Sequence, residues 1–143
     1  MNVPLRRLDP DLDPPRRQRA GDAAADLPAR ETVTLGPGER ATVPTGFAIA
    51  VPEGAAALVL PRSGLAANHG ITVLNAPGLI DAGYRGEIKV VLLNTGDEVV
   101  TLERGQRIAQ LLVLPVPALE FDLVDQLPPA PDDRGAQGFG SSG

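Results

Sequence analysis

The sequence has no cysteine and no tryptophan, and only one histidine, one tyrosine and one lysine. Without cysteine there can be no disulfides, no thiolate metal site and no thiol nucleophile. With His69 as the sole imidazole, a Ser–His–Asp triad or a multi-histidine zinc centre is hard to build. Long apolar runs are missing too: stretches such as Ala55–Leu60 fall far short of the roughly 18 residues a membrane span requires. No charged-then-apolar signal opens the chain, so the expected location is the cytoplasm, with no membrane partner. An excess of positive charge is also absent. The net charge is −5, and no basic stripe exists to neutralise a nucleic-acid polymer.

What is present is glycine and proline, 16 and 15 residues of 143. That density opposes long helices, because glycine costs about 1 kcal/mol and proline about 3 kcal/mol at a helix-interior position. Yet 43% of residues are hydrophobic and cluster in short Val/Ile/Leu runs, which suffices for a core. The expectation is an all-β domain. Twelve arginines accompany the single Lys89, and a guanidinium presents paired donors to phosphate oxygens, so a small phosphate compound remains an eligible ligand.

Turn signals recur along the chain. Val3–Leu8 reads as a short edge strand that tolerates Pro4, and 9–19 as a polar, proline-rich connector. Arg40–Pro44 and Phe47–Val51 read as two strands around Thr45-Gly46, followed by Ala55–Leu60. Strands at such spacing predict a sandwich, jelly roll or barrel. Within Pro61–Gly70 the rhythm breaks, and Ser63 is the expected cap of one helical turn that Gly70 stops. Ile71–Asn75 and Glu87–Asn94 resume strand character around a polar loop, 78–86, and Glu98–Leu102 and Arg107–Leu114 follow. Leu111–Leu114 is continuously apolar, as expected for a strand buried on both faces or at a subunit contact. Residues 1–124 form the expected β domain, and 125–143 an arm that is mobile without ligand.

Five loops carry chemically useful groups. Arg62-Ser63-Gly64 joins a guanidinium, a hydroxyl and free amides at a strand-to-helix junction, suited to phosphate; a helix cap beside a solvated arginine is the plainer alternative. Asp81 follows Leu79-Ile80 and precedes Gly83-Tyr84. A positioned carboxylate there can orient and deprotonate a water, although an aspartate before glycine is also a common turn residue. Tyr84 is either a binding surface or a core-edge ring. Gln110 lies in an apolar strand, where its amide needs partners, either a ligand or a cross-subunit bond. Asp26 sits between apolar residues as a binding group or a turn cap. At the end of the chain Arg134, Gly135, Gly138, Phe139, Gly140, Ser141 and Ser142 combine anion donors, permissive backbone and one flat ring; by composition alone the segment is also a plain Gly/Ser tail.

Taken in order, the segments 21–27, 61–66, 75–87, 105–111 and 134–143 resemble the five motifs of the trimeric dUTP diphosphatases, or dUTPases. The resemblance runs from about residue 3 to the end, and five motifs in order are far more specific than any one. It implies a homotrimeric, jelly-roll-like β-barrel or sandwich with one short helix, active sites at subunit interfaces, and hydrolysis of dUTP to dUMP and diphosphate with Mg²⁺. By resemblance Asp81 activates the attacking water, Asn75 and nearby backbone read uracil, and Tyr84 packs on the deoxyribose. Arg62, Ser63, Gly64, Leu79, Ile80, Lys89 and Gln110 belong to the implied substrate-binding set, and Asp26 touches the metal through water. Arg134, Phe139, Gly140 and Ser141 come from the arm that closes over the nucleotide, and Arg107 is a further candidate for phosphate.

Two motifs depart from the pattern: in the first, Ala24-Ala25 replaces glycine and a larger residue, and in the fourth, Gln106 stands where aspartate is usual. Two alternatives accompany this reading. A dCTP deaminase shares the fold family but carries a proton-handling glutamate where this chain has Val91, and a non-catalytic nucleotide-binding trimer would use the arm as a signal.

Overall fold

The computed structural model describes residues 1–140. Ten strands and one helix follow in chain order: β1 (Leu5–Arg7), β2 (Ala25–Pro28), β3 (Val33–Leu35), β4 (Arg40–Ile49), β5 (Ala55–Leu60), α1 (Ser63–His69), β6 (Ile71–Val73), β7 (Gly78–Ile80), β8 (Glu87–Asn94), β9 (Val100–Leu102) and β10 (Arg107–Pro115). They form two four-stranded sheets, ordered β1-β4-β8-β6 and β2-β10-β5-β7, and a β3-β9 pair. All pairings are antiparallel. The expected all-β, jelly-roll-like sandwich with one short helix is what the chain forms.

Alternation builds the core. On β8, Ile88, Val90, Leu92 and Asn94 are buried, while Lys89 is exposed and Val91 and Leu93 are half-buried, the period of two expected of a strand with one inward face. Ile88, Val90 and Leu92 join Leu27, Val59 and Ile108 from the other sheet in one apolar cluster. Asn94 is fully buried yet saturated: its Nδ2 donates to the carbonyls of Leu35 and Glu98, and its Oδ1 accepts the Gly96 N–H.

Several local expectations change. The two strands expected around Thr45-Gly46 are one strand, β4, whose register against β8 jumps between Pro44 and Ala48. The bulge accommodates a proline that cannot donate to a ladder. Thr45 turns its hydroxyl inward to the Ile88 carbonyl at 2.7 Å, and Gly46 takes φ +82°, where a Cβ would lie 2.9 Å from Leu12 Cδ1. Ser63 is not the helix cap. Arg62, with extended backbone, holds that position without a side-chain cap, and Ser63 begins the helix. Gly70 ends it in the left-handed region, as expected, close against Gly96. Part of the expected loop 78–86 is a strand, because Gly78–Ile80 pairs with Ala57–Val59.

After Pro115 the described residues form no further strand or helix. Leu119, Phe121 and Leu123 are exposed there. No helix among the described residues is long and apolar enough to cross a membrane.

Candidate active site

A cleft of about 210 Å³ opens where the two sheets meet. Val59 and Gly78–Ile80 supply one side from β5 and β7, Ile88 and Lys89 the other from β8, and Asn75, Asp81 and Tyr84 stand in its lining. Gly78 keeps one wall thin, since a Cβ there would sit 3.3 Å from Val59 Cβ and 3.4 Å from Asn75 Nδ2. A tight turn carries Asp81: its carbonyl accepts the Tyr84 N–H at 3.1 Å, and the Arg85 guanidinium bonds the Ala82 and Tyr84 carbonyls. The Tyr84 hydroxyl donates to the Glu87 carbonyl at 2.8 Å, which folds the ring over Gly86; a Cβ on Gly86 would meet that oxygen at 2.6 Å. Asp81 is exposed at the cleft, and Ile80 beneath it is buried. Leu79 is 63% exposed, so it presents its side chain outward rather than packing into the core.

A second constellation lies at the edge of the other sheet. Cross-strand pairing aligns Asp26 of β2 with Gln110 of β10, and Gln110 with Leu60 of β5. Two residues beyond Leu60 comes Arg62, whose Nε lies 3.4 Å from Asp26 Oδ1; Arg107 Nη1 is 3.2 Å from Oδ2. Arg62 also donates from Nη1 to the Arg107 carbonyl at 3.1 Å. The Arg62 contact is not aligned as a hydrogen bond, so Asp26 Oδ1 is shielded from solvent with no hydrogen-bond partner. One carboxylate thus stands between two guanidiniums, and Asp11, Asp13 and Arg16 line the same recess as Asp26 and Arg107. Ser63 and Gly64 are exposed beside this corner at the start of the helix, and Gln110 is half-buried, its side chain making no hydrogen bond among the described residues. Gln106, which stands where the motif usually has aspartate, accepts the Glu103 N–H at 3.0 Å through Oε1 and so closes the turn before Arg107.

Among the described residues the cleft and the corner do not meet. None of the corner residues lines the cleft. Asp81 is one residue past Ile80, which pairs with Ala57, whereas Arg62 lies beyond the other end of β5. At about 3.3 Å per residue the two are on the order of 20 Å apart along the strand. Nor do the described residues of the arm join them. Arg134 bonds within its own turn, from Nε to the Gln137 carbonyl at 3.2 Å, and the Phe139 ring is fully exposed with φ +51°. Gly140 has φ +83°, and Ser141 lies outside the described residues. Among the described residues no three His, Cys, Asp or Glu side chains gather as a metal cage, and His69 stands at the end of α1 away from both constellations.

Sequence reasoning missed a cluster behind the corner. Asp9 takes Arg104 in a two-pronged pair at 2.7 and 3.0 Å and Arg30 at 3.3 Å, and Arg30 reaches Glu87 at 3.1 Å. The Asp9-Pro10 turn and an arginine before Gly105 were the available signals, and neither identifies its partner across 95 residues.

Antiparallel sheets in a sandwich, with a cleft at their junction and an arginine corner at one sheet edge, define a jelly-roll-like β protein. The dUTPase family model matches residues 11–143, and the chain belongs to the dUTPase family. It is 60% identical over 144 residues to the deoxyuridine 5'-triphosphate nucleotidohydrolase of Thermobifida fusca, covering 100% of this chain and 79% of that one. It is also 60% identical, over 124 residues, to the enzyme of the same name from Leifsonia xyli, covering 86% and 80%. Among solved structures, the Staphylococcus bacteriophage 80alpha dUTPase with dUpNHpp superposes with TM-score 0.92 at 28% identity, covering 99% of this chain and 98% of that one. A mutant dUTPase of phage phi11 of S. aureus, whose structure concerns coordination of a structural Mg(II) ion, gives TM-score 0.83 at 25% identity over 89% of this chain and 99% of that one.

Proposed function

We propose that the chain hydrolyses dUTP to dUMP and diphosphate, which lowers dUTP, keeps uracil out of DNA and supplies dUMP for thymidylate synthesis in the cytoplasm. The observation that carries the reading is Asp81 standing with Asn75 and Tyr84 in one cleft, in a chain of this family. Asp81 accepts a proton from a water whose oxygen attacks the α-phosphorus; the bond from that phosphorus to the bridging oxygen breaks and diphosphate leaves. Asn75 and the backbone around Gly78 read the base, Tyr84 packs on the sugar, and Leu79, Ile80 and Lys89 complete the wall. Arg62, Ser63, Gly64, Arg107 and Gln110 hold the phosphate chain, where fixed donors aimed at developing charge act without reorganising.

The separation of cleft from corner supports sites shared between chains. The outer face of β2-β10-β5-β7 supports the same reading: Leu58, Leu112 and Leu79 stand in register on it, with Leu60, Gln110 and Asp26 continuing toward the corner. A homotrimer that covers this apolar face brings one chain's cleft to its neighbour's arginines. The arm, residues 125–143, then closes over the nucleotide, with Phe139 on the base and Arg134, Gly140 and Ser141 at the phosphates.

Mg²⁺ fits this donor set as an ion carried on the substrate. It favours one or two carboxylates together with phosphates and several waters, and Asp26 offers one shielded, unbonded oxygen for a water-mediated contact. When bound, the ion offsets negative charge on the phosphate oxygens. Deamination is disfavoured by Val91, whose side chain cannot transfer a proton. The test is an assay of dUTP, dCTP, dTTP and UTP with magnesium that resolves nucleotide from diphosphate. Release of dUMP and diphosphate from dUTP alone supports the reading; a deaminated product, or no product, overturns it.

A further inference from the structure

Arg107 reaches the corner from an irregular stretch of strand. The pairing of β10 with β2 shifts register between Arg107 and Ala109, so a regular ladder does not by itself set where Arg107 stands. What precedes it is the turn 103–106, clamped on several sides. The Gly105 N–H donates to the Ala29 carbonyl at 2.7 Å, and the Ala29 N–H to the Gln106 carbonyl at 2.8 Å. The Arg104 N–H donates to Thr32 Oγ1 at 3.0 Å, and its guanidinium bonds the Arg30 carbonyl.

The Glu103 carboxylate accepts the Thr32 hydroxyl at 3.2 Å, and the ion pair that anchors the turn comes from Asp9, at the other end of the sequence. The Asp9 side chain is 12% exposed, and its two oxygens receive the two terminal nitrogens of Arg104. Arg30 and the Asp11 N–H hold the same carboxylate, and Gly46 at the β4 bulge leaves room for it, since a Cβ there would lie 3.2 Å from Asp9 Cβ. Such a fork fixes orientation as well as distance.

We propose that Asp9 is a positioning residue for the arginine corner: through Arg104 it fixes the turn that delivers Arg107 to Asp26. Neither Asp9 nor Arg104 lines the cleft or touches Asp26. The proposal rests on reading the corner as the holder of the phosphate chain, and it deepens that reading by assigning the corner's geometry to a residue outside all five motifs.

The experiment compares two ligands on the full-length chain by calorimetry: dUpNHpp, which reaches the corner, and dUMP, which lacks the outer phosphates. Asp9→Asn keeps the shape and removes the charge. It should weaken dUpNHpp about tenfold, as displacement of an aligned group does, and leave dUMP within about twofold. Arg104→Lys keeps the charge but loses the fork and should reproduce the selective loss. Because both act on one link, the double variant should be no worse than the weaker-binding single one. Equal weakening of both ligands, or unchanged affinities with a lower Tm, overturns the positioning role. Wild-type protein that binds dUMP as tightly as dUpNHpp overturns the reading of the corner, and the proposal with it.

Discussion

Asp81 and Tyr84 share one short turn, yet they should fail differently when changed. Asp81→Asn preserves the shape of the cleft and cannot take a proton from water, so turnover should drop about 10²- to 10⁴-fold while dUpNHpp binding persists. Near-wild-type turnover in a pure sample would remove Asp81 from its role. Tyr84 is held by its hydroxyl on the Glu87 carbonyl and by the missing side chain of Gly86. If its ring packs on C2′, an added hydroxyl there is desolvated without a partner, a cost of roughly 1–3 kcal/mol, or about 10- to 100-fold. Tyr84→Ala should therefore shrink the ratio of kcat/KM for dUTP over UTP, whereas Phe139→Ala should weaken nucleotide binding and leave that ratio nearly intact. Asp26 and Gln110 were legible in the sequence as polar groups among apolar neighbours, whereas Asp81, Tyr84 and Arg62 were singled out by the resemblance of five motifs in order. Their partners were not: Arg62 and Arg107 converge on Asp26 only through strand pairing, which no local spacing encodes.

At the scale of elements, alternation on β8 and the apolar runs of β5 and β10 made these strands readable, since burial on a pleated sheet has a period of two. The β4 bulge and β7 were not readable. A proline and a glycine at 44 and 46 look like a break until a buried threonine and a partner strand make them a bend, and three residues at 78–80 become a strand only because β5 offers an edge. The Asp9 cluster borders the β4 bulge, where Glu87 accepts the Gly46 N–H, and it carries a pH signature. The Arg104 guanidinium holds the Asp9 carboxyl well below its ordinary value of 3.8, against the opposing effect of burial. A depressed carboxylate stabilises the fold fully above the unfolded value and loses that contribution as pH falls toward the folded one. Wild type should therefore exceed Asp9→Asn in stability at neutral pH, and the gap should close progressively below about pH 4. Urea unfolding of both proteins across that range checks it; a gap that stays constant would mean the pair does not discriminate folded from unfolded chain.

For the whole molecule, the distance between cleft and corner has a stoichiometric consequence. If the two come from neighbouring chains, Asp81→Asn and Arg62→Ala proteins, each inactive alone, should complement when co-refolded. In a ring of three assembled at random, about a quarter of the sites receive both intact halves, so about a quarter of wild-type activity should return. No recovery would place the whole site within one chain. The segment after Pro115, without helix or strand among the described residues, also has an unusual digestion map. From Ile108 to the end of the chain Arg134 is the only basic residue, and it is exposed. Exposed chain outside regular structure is where proteases cut first, so trypsin has a single target in that region and can remove only residues 135–143 from that end. If the arm closes over the nucleotide, saturating dUpNHpp should slow that cut, as followed by mass spectrometry. The fragment released carries Phe139, so one small change in mass and the loss of hydrolysis should advance on the same clock.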